Sequence, residues 1–510
     1  MVDYLILGSG LSALSFAALM AKSGKKVKLL EAHQYPGGYG HTFSQGKKYR
    51  FNAQLHYVWN CGQGQPVYQI LKKLGLHKEI EFIKLNPLGY DRMRMPGYEL
   101  DIPYDYDLLG HRLCALFPRD KQNIQNFLTE IQLIGEAIVK FDSSKGALHM
   151  VSHLGTFSRL LKYHRATLQQ VFDAFSLPLE AQTLLALQWV DFLLPPNKLS
   201  IIAWVALFTG YGRGAYYPAG HFEQVIGALE KIILDNGGEI FYESKVIDFL
   251  MEGKRVTGVV SEQMKTPFSQ NQHHGKNIIC NFDPKKAAEM IGMKKFSKRV
   301  RKLLNYEYSP SNFMAYCAVE GLDLRQLGFG GSNLFHSSEV DLNKSFHRMY
   351  QLGDYSEPSF AITTPSLHTK TPGSCPEGQQ IIEFLTVADY HRFKDLRISS
   401  RQLYNQKKEE ILDRIIDITE KNYIPNLRKH LVYKMTGSPT TSERFCGSPV
   451  GNSYGSNLTP ENMGFSRLDH KSSLDNFFFC NASSGYAGFA GTFRTGARLY
   501  EVLSGDSAFA

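Results

Sequence analysis

The sequence predicts an α/β protein: a Rossmann-like dinucleotide-binding unit that carries an inserted second domain. Three observations predict it. Residues 4–31 read as strand, glycine turn, helix, strand and acid. Residues 216–260 and 477–503 return to strand-and-helix patterning after long stretches without it. No further phosphate loop follows a strand anywhere between them.

The opening unit is explained residue by residue. The apolar run Tyr4, Leu5, Ile6 and Leu7 predicts a buried strand, and it ends in Gly8, Ser9 and Gly10. Gly8 permits the sharp turn off that strand. Gly10 lets a pyrophosphate approach the backbone, and Ala13 stands where a third glycine is common, small enough for close helix–strand packing. Leu11, Leu14, Ala18 and Leu19 set a helical period, and such a helix aims its N-terminal amides at phosphate. Val27 to Leu30 give the second strand. Glu31, about 20 residues after Gly10, is placed to accept hydrogen bonds from ribose hydroxyls, and it disfavours a 2′-phosphate and hence NADP.

Residues 86–214 carry helical patterns at 123–139 and 181–194, broken by loops. From Tyr216 a glycine turn, an amphipathic helix, Gly237-Gly238 and two strands follow, and 277–283 reads as a buried strand and turn. Alternation at 380–387 marks a further strand. Residues 262–276 read as the most polar loop; His273 and His274 lie in it without a third ligand, which argues against metal. The division expected is a discontinuous nucleotide domain, 1–85, 215–300 and 431–510, with 86–214 and 301–430 forming a substrate or cap domain.

Composition agrees with a large globular core: 43% of residues are hydrophobic and 21% charged, over 510 residues. The seven cysteines are scattered without a CxxC pair, which reads as reduced and intracellular rather than as a disulfide frame or a zinc site. No apolar run reaches the roughly 18 residues of a spanning helix. The first strand begins so early that no signal or transit peptide is expected. The net charge of +9 suits an anionic membrane surface better than nucleic acid, for which no module is present. In MKKFSKRVRKLL (293–304), Phe296, Val300, Leu303 and Leu304 share one stripe. The stripe fits an interfacial helix or, preferably, a surface helix with its apolar side on the core.

Four blocks make the chain recognisable. They are the opening unit; Pro36-Gly37-Gly38-Tyr39-Gly40-His41-Thr42-Phe43 with Phe51-Asn52-Ala53-Gln54-Leu55-His56-Tyr57; Tyr217-Pro218-Ala219-Gly220-His221; and SPTTSERF (438–445) followed by 449–455 and 488–491. Together they resemble the flavoprotein family of phytoene desaturases, carotenoid isomerases and retinol saturases, and within it the isomerase and saturase branch. The resemblance covers nearly the whole chain and is weakest over 86–214.

It implies a glutathione-reductase-type FAD-binding domain with an inserted α+β substrate domain. It also implies hydride chemistry at flavin N5 on a long apolar polyene of carotenoid or retinoid type. Carried over, Gly8, Ser9, Gly10 and Leu11 hold the pyrophosphate and Glu31 the adenosine ribose. Gly37, Gly38, His41 and Thr42 line the phosphate and ribityl side, and Val246 offers its backbone to adenine. Gly488, Phe489, Gly491 and Thr492 close over the isoalloxazine, ahead of a helix at 495–503 whose N-terminus stabilises negative charge on the reduced flavin. Three positions depart from the family pattern: Asn52 where Asp is usual, Gln54 where Gly is usual, and Asn481-Ala482-Ser483 where a glycine and an acid are common.

Candidate catalytic groups have two readings each. His56 is a proton donor near the flavin or a hydrogen-bonded structural histidine. Arg444 holds a polar group or makes a surface ion pair. Tyr454 lines or packs beneath the substrate cleft. Trp204, Phe208, Tyr211, Tyr216 and Tyr217 line an apolar tunnel or belong to the core. Gly210-Tyr211-Gly212 and Gly328 to Gly331 lack the context of a second nucleotide site, so electrons are expected from outside: oxygen, a quinone or a partner reductase. The alternatives are an amine-oxidase-like flavoenzyme and a non-catalytic binding protein of the same fold, like the GDP-dissociation inhibitors. The expected location is cytoplasmic, peripheral to a membrane where its apolar substrate partitions.

Overall fold

A computed structural model describes residues 1–46, 48–143, 154–266 and 269–509. Its first sheet is built around Val2–Leu7, which pairs in parallel with Val27–Leu30 on one side and with Gln270–Cys280 on the other. Glu239–Phe241 and Phe477–Phe479 extend the sheet at its two edges, again in parallel. Such strands must be covered on both faces. Leu5, Ile6, Leu7, Ile278 and Ile279 are accordingly fully buried. One face is covered by the helices Leu11–Lys22, His221–Asp235 and Gly488–Ser504. Leu11–Lys22 is buried on every side from Leu11 to Ala21, and its alanines and serines let neighbouring helices approach closely.

The polar stretch 262–276 is not a loop. Arg255–Gln263 and Gln270–Cys280 are strands. The first half of Gln270–Cys280 pairs antiparallel with Arg255–Gln263, which pairs with Ser244–Glu252. This meander stands off the parallel sheet with solvent beside it, so its strands carry polar residues on both faces. His273 bonds Ser261 Oγ at 2.9 Å, and no metal-binding cluster occurs among the described residues.

The second sheet is mostly antiparallel. Its strand order is Leu431–Gly437, Ser311–Glu320, Gln379–Ala388, Ser359–Thr363, Asn333–Ser337, Asp91–Met95 and Tyr98–Ile102. Leu431–Gly437 therefore belongs to the inserted domain's sheet and not to the nucleotide unit, because its partner is Ser311–Glu320. Helices Lys121–Ser143 and Ile201–Gly212 pack within the same core. Trp204 and Phe208 stack at 4.6 Å and are buried in that core, whereas Tyr216 and Tyr217, in a short strand, are buried in the core of the first sheet.

The apolar stripe of the basic segment 293–304 also faces the core. Phe296, Val300 and Leu304 are buried, with the Phe296 ring stacked on Phe479 at 6.3 Å. Ser297 caps the helix Lys298–Leu304 through the Val300 amide. Phe296→Ala is expected to cost about 3 kcal/mol in chemical unfolding, the usual figure for emptying a buried phenylalanine site; a stripe meant for a membrane would leave stability unchanged.

Candidate active site

The turn after the first strand is shaped for close approach. Gly8 has φ +105°, a conformation L side chains rarely adopt. The Gly10 amide donates to Asn281 Oδ1 at 2.8 Å, and a Cβ on Gly10 would lie 2.7 Å from that oxygen. Helix Leu11–Lys22 starts at once, with no side-chain cap on its first turn, so its amides remain available to an anion. Ala13 is fully buried beneath it.

Glu31 stands at the tip of the second strand, tied back to the glycine turn. Its Oε2 accepts from the Ser9 amide at 2.8 Å and from Ser9 Oγ at 2.6 Å, and its Oε1 accepts from the His33 amide at 2.7 Å. Ser244 donates to the Glu31 carbonyl, which brings Val246 alongside. Gly37, at φ +108°, donates to the Ser9 carbonyl and joins the second glycine loop to the first. His41 Nδ1 donates to the Gly38 carbonyl at 2.6 Å, and burial lowers its pKa, so it is a neutral loop contact. Thr42 Oγ1 donates to Asn52 Oδ1 at 3.1 Å.

The far wall differs from expectation at one point. The last helix starts at Gly488 rather than near Thr495, so Gly488, Phe489, Gly491 and Thr492 form its first turns. No side chain caps its N-terminus, and Gly488, Phe489, Gly491 and Thr492 all line the cavity described next. The preceding loop is pinned by Arg467, which donates to the carbonyls of Gly485, Ala482 and Asn462.

The departures from the family pattern have local explanations. Asn52 Nδ2 donates to Tyr217 OH at 2.6 Å. Gln54 Nε2 donates to Asn312 Oδ1 at 3.0 Å. Asn481 Oδ1 caps the amides of Ser483 and Ser484, while its Nδ2 holds the Phe282 carbonyl.

A single cavity of about 2270 Å³ runs from this cradle into the inserted domain. Drug-sized ligands fill roughly 300–1,000 Å³, so there is room for a dinucleotide and a long second molecule. Gly8, Gly10, Glu31 and Val246 line one end; Ile138, Val139, Leu160, Leu161 and Ile202 line the other. His56, Tyr454, Arg444 and Tyr211 also line it. Arg444 lies exposed at the rim, over the Phe445 ring at 5.2 Å. Tyr454 OH donates to the Asp191 carbonyl.

Between the two ends lies a buried polar network that pattern reading missed. His56 Nδ1 is 3.3 Å from Glu383 Oε2, while His56 Nε2 has no partner. Burial raises the Glu383 carboxyl, and its bond to His56 opposes the shift. Next to it, Tyr57 OH lies 2.8 Å from Asp91 Oδ2 and 3.2 Å from Asp191 Oδ2. Burial raises the carboxyls of both Asp91 and Asp191, with mutual repulsion adding to the Asp91 shift and His56 opposing that of Asp191. Such a pair holds a shared proton near neutrality.

A carboxyl raised on folding stabilises the fold most below its unfolded value, near 3.8 here, and loses that contribution as pH climbs through the folded value. Melting temperature is therefore expected to fall between about pH 4 and 7 more steeply in the native protein than in Asp191→Asn, as scanning calorimetry would show.

Comparison with known proteins bears on this geometry. Residues 6–74 match the model of an NAD(P)-binding Rossmann-like domain. Over 485 residues the chain is 23% identical to all-trans-retinol 13,14-reductase of Danio rerio, spanning 89% of this chain and 77% of that one. Over 487 residues it is 23% identical to chloroplastic prolycopene isomerase of Daucus carota, spanning 89% and 71%. Both relatives align over most of this chain. Its fold is similar to that of solved oxidoreductases. Putrescine oxidase bound to putrescine superposes with a TM-score of 0.65 at 14% identity, over 99% of each chain.

Proposed function

We propose that the protein is an FAD-dependent oxidoreductase or isomerase acting on a long, apolar polyene of carotenoid or retinoid type. The observation that carries this reading is the continuity of the cavity. The same cavity is lined by the glycine-rich cradle and by the apolar side chains of the channel. The residues fit an adenine dinucleotide: an uncapped helix N-terminus and two glycine turns for diphosphate, and a carboxylate at the strand tip for ribose. A bound flavin supplies hydride transfer.

The protein's own residues do the rest. Gly8, Ser9, Gly10 and Leu11 receive the pyrophosphate. Glu31, Gly37, Gly38, His41, Thr42 and Val246 orient the sugars and adenine. The Gly488–Ser504 helix presents its positive end to the ring system, where negative charge grows on reduction. His56, oriented by Glu383 at Nδ1, presents its cavity-side Nε2 to the substrate. The apolar channel aligns the substrate and excludes water, which matters more here than a strong base, since conjugation spreads developing charge. In this reading 1–85, 215–300 and the chain after 437 supply the cradle, and the inserted segments supply the channel.

Neither Gly210-Tyr211-Gly212, which ends a helix, nor the loop at Gly328 to Gly331 follows a strand. Electrons are therefore assigned to an external quinone, oxygen or reductase. The channel mouth carries the exposed side chains Val139, Phe141 and Leu161 on a chain of net charge +9. This supports a seat on an anionic membrane surface from which an apolar substrate enters. No described helix is long and apolar enough to cross a membrane.

Reconstitution tests the reading. The protein is expected to bind FAD, to acquire visible flavin absorbance, and to change the absorbance of a polyene in its reduced or oxidised form. Protein that stays colourless after reconstitution favours a binding protein of this fold. Coloured protein that alters no polyene but oxidises amines favours the amine-oxidase-like alternative.

A further inference from the structure

We propose that Asp191 is a cavity-facing carboxylic acid that exchanges a proton with the bound substrate, held in its acid form by a bridge through Tyr57 to an ionised Asp91. The inference rests on the polyene reading above and deepens it.

The argument is one of hydrogen-bond bookkeeping. A phenol has one proton to give, yet Tyr57 OH lies within hydrogen-bond distance of a carboxyl oxygen on each aspartate. If both aspartates were ionised, one of those contacts would set two oxygens together with no proton between them. One aspartate must therefore donate to Tyr57 while the other accepts from it. The surroundings say which. Asp91 is fully buried and accepts from Gln188 Nε2 and from Asn333 Nδ2 (3.2 Å) as well as from Tyr57. Three donors converge on it, and donors favour the ionised form. Asp191 Oδ2 has Tyr57 alone among these partners. Asp191 is thus the acid, and it is the member of the pair that lines the cavity.

A second observation marks the same place as a ligand site. His56 is only 8% exposed, lines the same cavity, and leaves Nε2 without a partner in the protein. A buried polar atom left open in this way is explained when a ligand group sits against it. The titratable groups around Asp191 are His56, Tyr57, Asp91, Tyr211 and Tyr454, with Glu383 behind His56. Tyr57 is held rigidly for the bridge by stacking on Tyr211 at 4.2 Å.

The chemistry balances. In saturation the substrate takes a hydride at one alkene carbon and the Asp191 proton at its neighbour. The π bond and the carboxyl O–H bond break, two C–H bonds form, and Asp191 is left as carboxylate until solvent returns a proton after product leaves. The hydride and its two electrons come from a reduced flavin, the reductant that the proposed function already names. Desaturation runs the same steps backwards, with Asp191 entering as carboxylate.

Infrared spectroscopy of the full-length protein reads the acid directly. A carbonyl band of a protonated carboxyl that shifts in heavy water is expected at neutral pH. It should vanish in Asp191→Asn and persist in Glu383→Gln. In Tyr57→Phe, which keeps the ring and its stacking, the band should disappear at lower pH than in the native protein. With FAD restored, polyene turnover in Asp191→Asn should fall by about 100-fold, the usual worth of a positioned acid, while FAD affinity stays within twofold. A band that survives in Asp191→Asn, or one lost only in Asp91→Asn, overturns the assignment. Undiminished turnover in Asp191→Asn overturns the proposal alone. If the native protein turns over no polyene, the functional reading falls, and the substrate half of this proposal with it.

Discussion

Gly10→Val is expected to abolish FAD binding without unfolding the protein. Gly10 sits at φ −64° and ψ 165°, which valine adopts without strain, so the backbone does not resist the change. The space does. The new Cβ would stand 2.7 Å from Asn281 Oδ1, and the two methyl groups beyond it would cover the amides that open the helix. Asn281 is not free to swing away, because its Nδ2 is held by Ser12 Oγ at 2.9 Å and by the Cys480 carbonyl at 2.6 Å. A diphosphate seated there loses at least two charge-assisted hydrogen bonds at about 1.5–3 kcal/mol each. Affinity should fall by about 100-fold or more, since each 1.4 kcal/mol is tenfold. Titration with FAD reads the loss. Circular dichroism and the melting temperature, close to native values, show that the fold survives. Native affinity in Gly10→Val would mean that the diphosphate lies elsewhere.

The cradle was legible because its information is local. Strand, turn, helix and acid follow one another within residues 4–31, and each constraint falls on a neighbouring residue. The meander was not. Residues 270–274 are polar because both faces of that half-strand meet solvent, so the alternation that marks a half-buried strand is absent. The start of the last helix was missed for a related reason. Gly488 and Gly491 read as a turn, yet both lie within the Gly488–Ser504 helix, whose apolar face is set by Phe489, Phe493 and Leu499.

The polar network was the least legible part. Tyr57 reaches Asp91 and Asp191 from three separate elements, and Glu383 reaches His56 from a strand of the inserted domain. No spacing rule joins them. One signal was nonetheless present: Asp191 and Glu383 are lone acids in the apolar runs WVDFLL and IIEFL. An acid in a run that a fold must bury needs partners, and those partners are a site or part of one. His56 could be singled out only because its neighbours resembled a family motif. Its orienting carboxylate was beyond reach of any resemblance offered by the sequence blocks.

Gly496→Ala separates the cradle's scaffold from its surface. Gly496 lies inside the Gly488–Ser504 helix where that helix crosses Leu11–Lys22. Intrinsic propensity alone predicts that alanine stabilises a helix interior by about 1 kcal/mol over glycine. Packing predicts the reverse. A Cβ at 496 would lie 2.0 Å from Ser15 Oγ and 2.2 Å from the Ser12 carbonyl, and the second of these is backbone. The Ser15 hydroxyl cannot retreat cheaply either, since it donates to the Phe493 carbonyl at 3.0 Å and belongs to the seam itself. The helices must therefore move apart. Overpacking of this kind costs about 1–3 kcal/mol and at times more, which outweighs the propensity gain. At about 2.1 cal/mol/K of unfolding entropy per residue, a loss near 3 kcal/mol over 510 residues corresponds to a melting temperature lower by roughly 3 °C. In the proposed reading the two helices carry the diphosphate end and the flavin end of the cavity, so their separation should weaken FAD binding together with stability. Gly10→Val, by contrast, should lose binding alone. A Gly496→Ala protein more stable than the native one would show that the two helices do not meet as closely as the crossing at Ser12 and Ser15 requires, and the shape of the cradle between them would have to be redrawn.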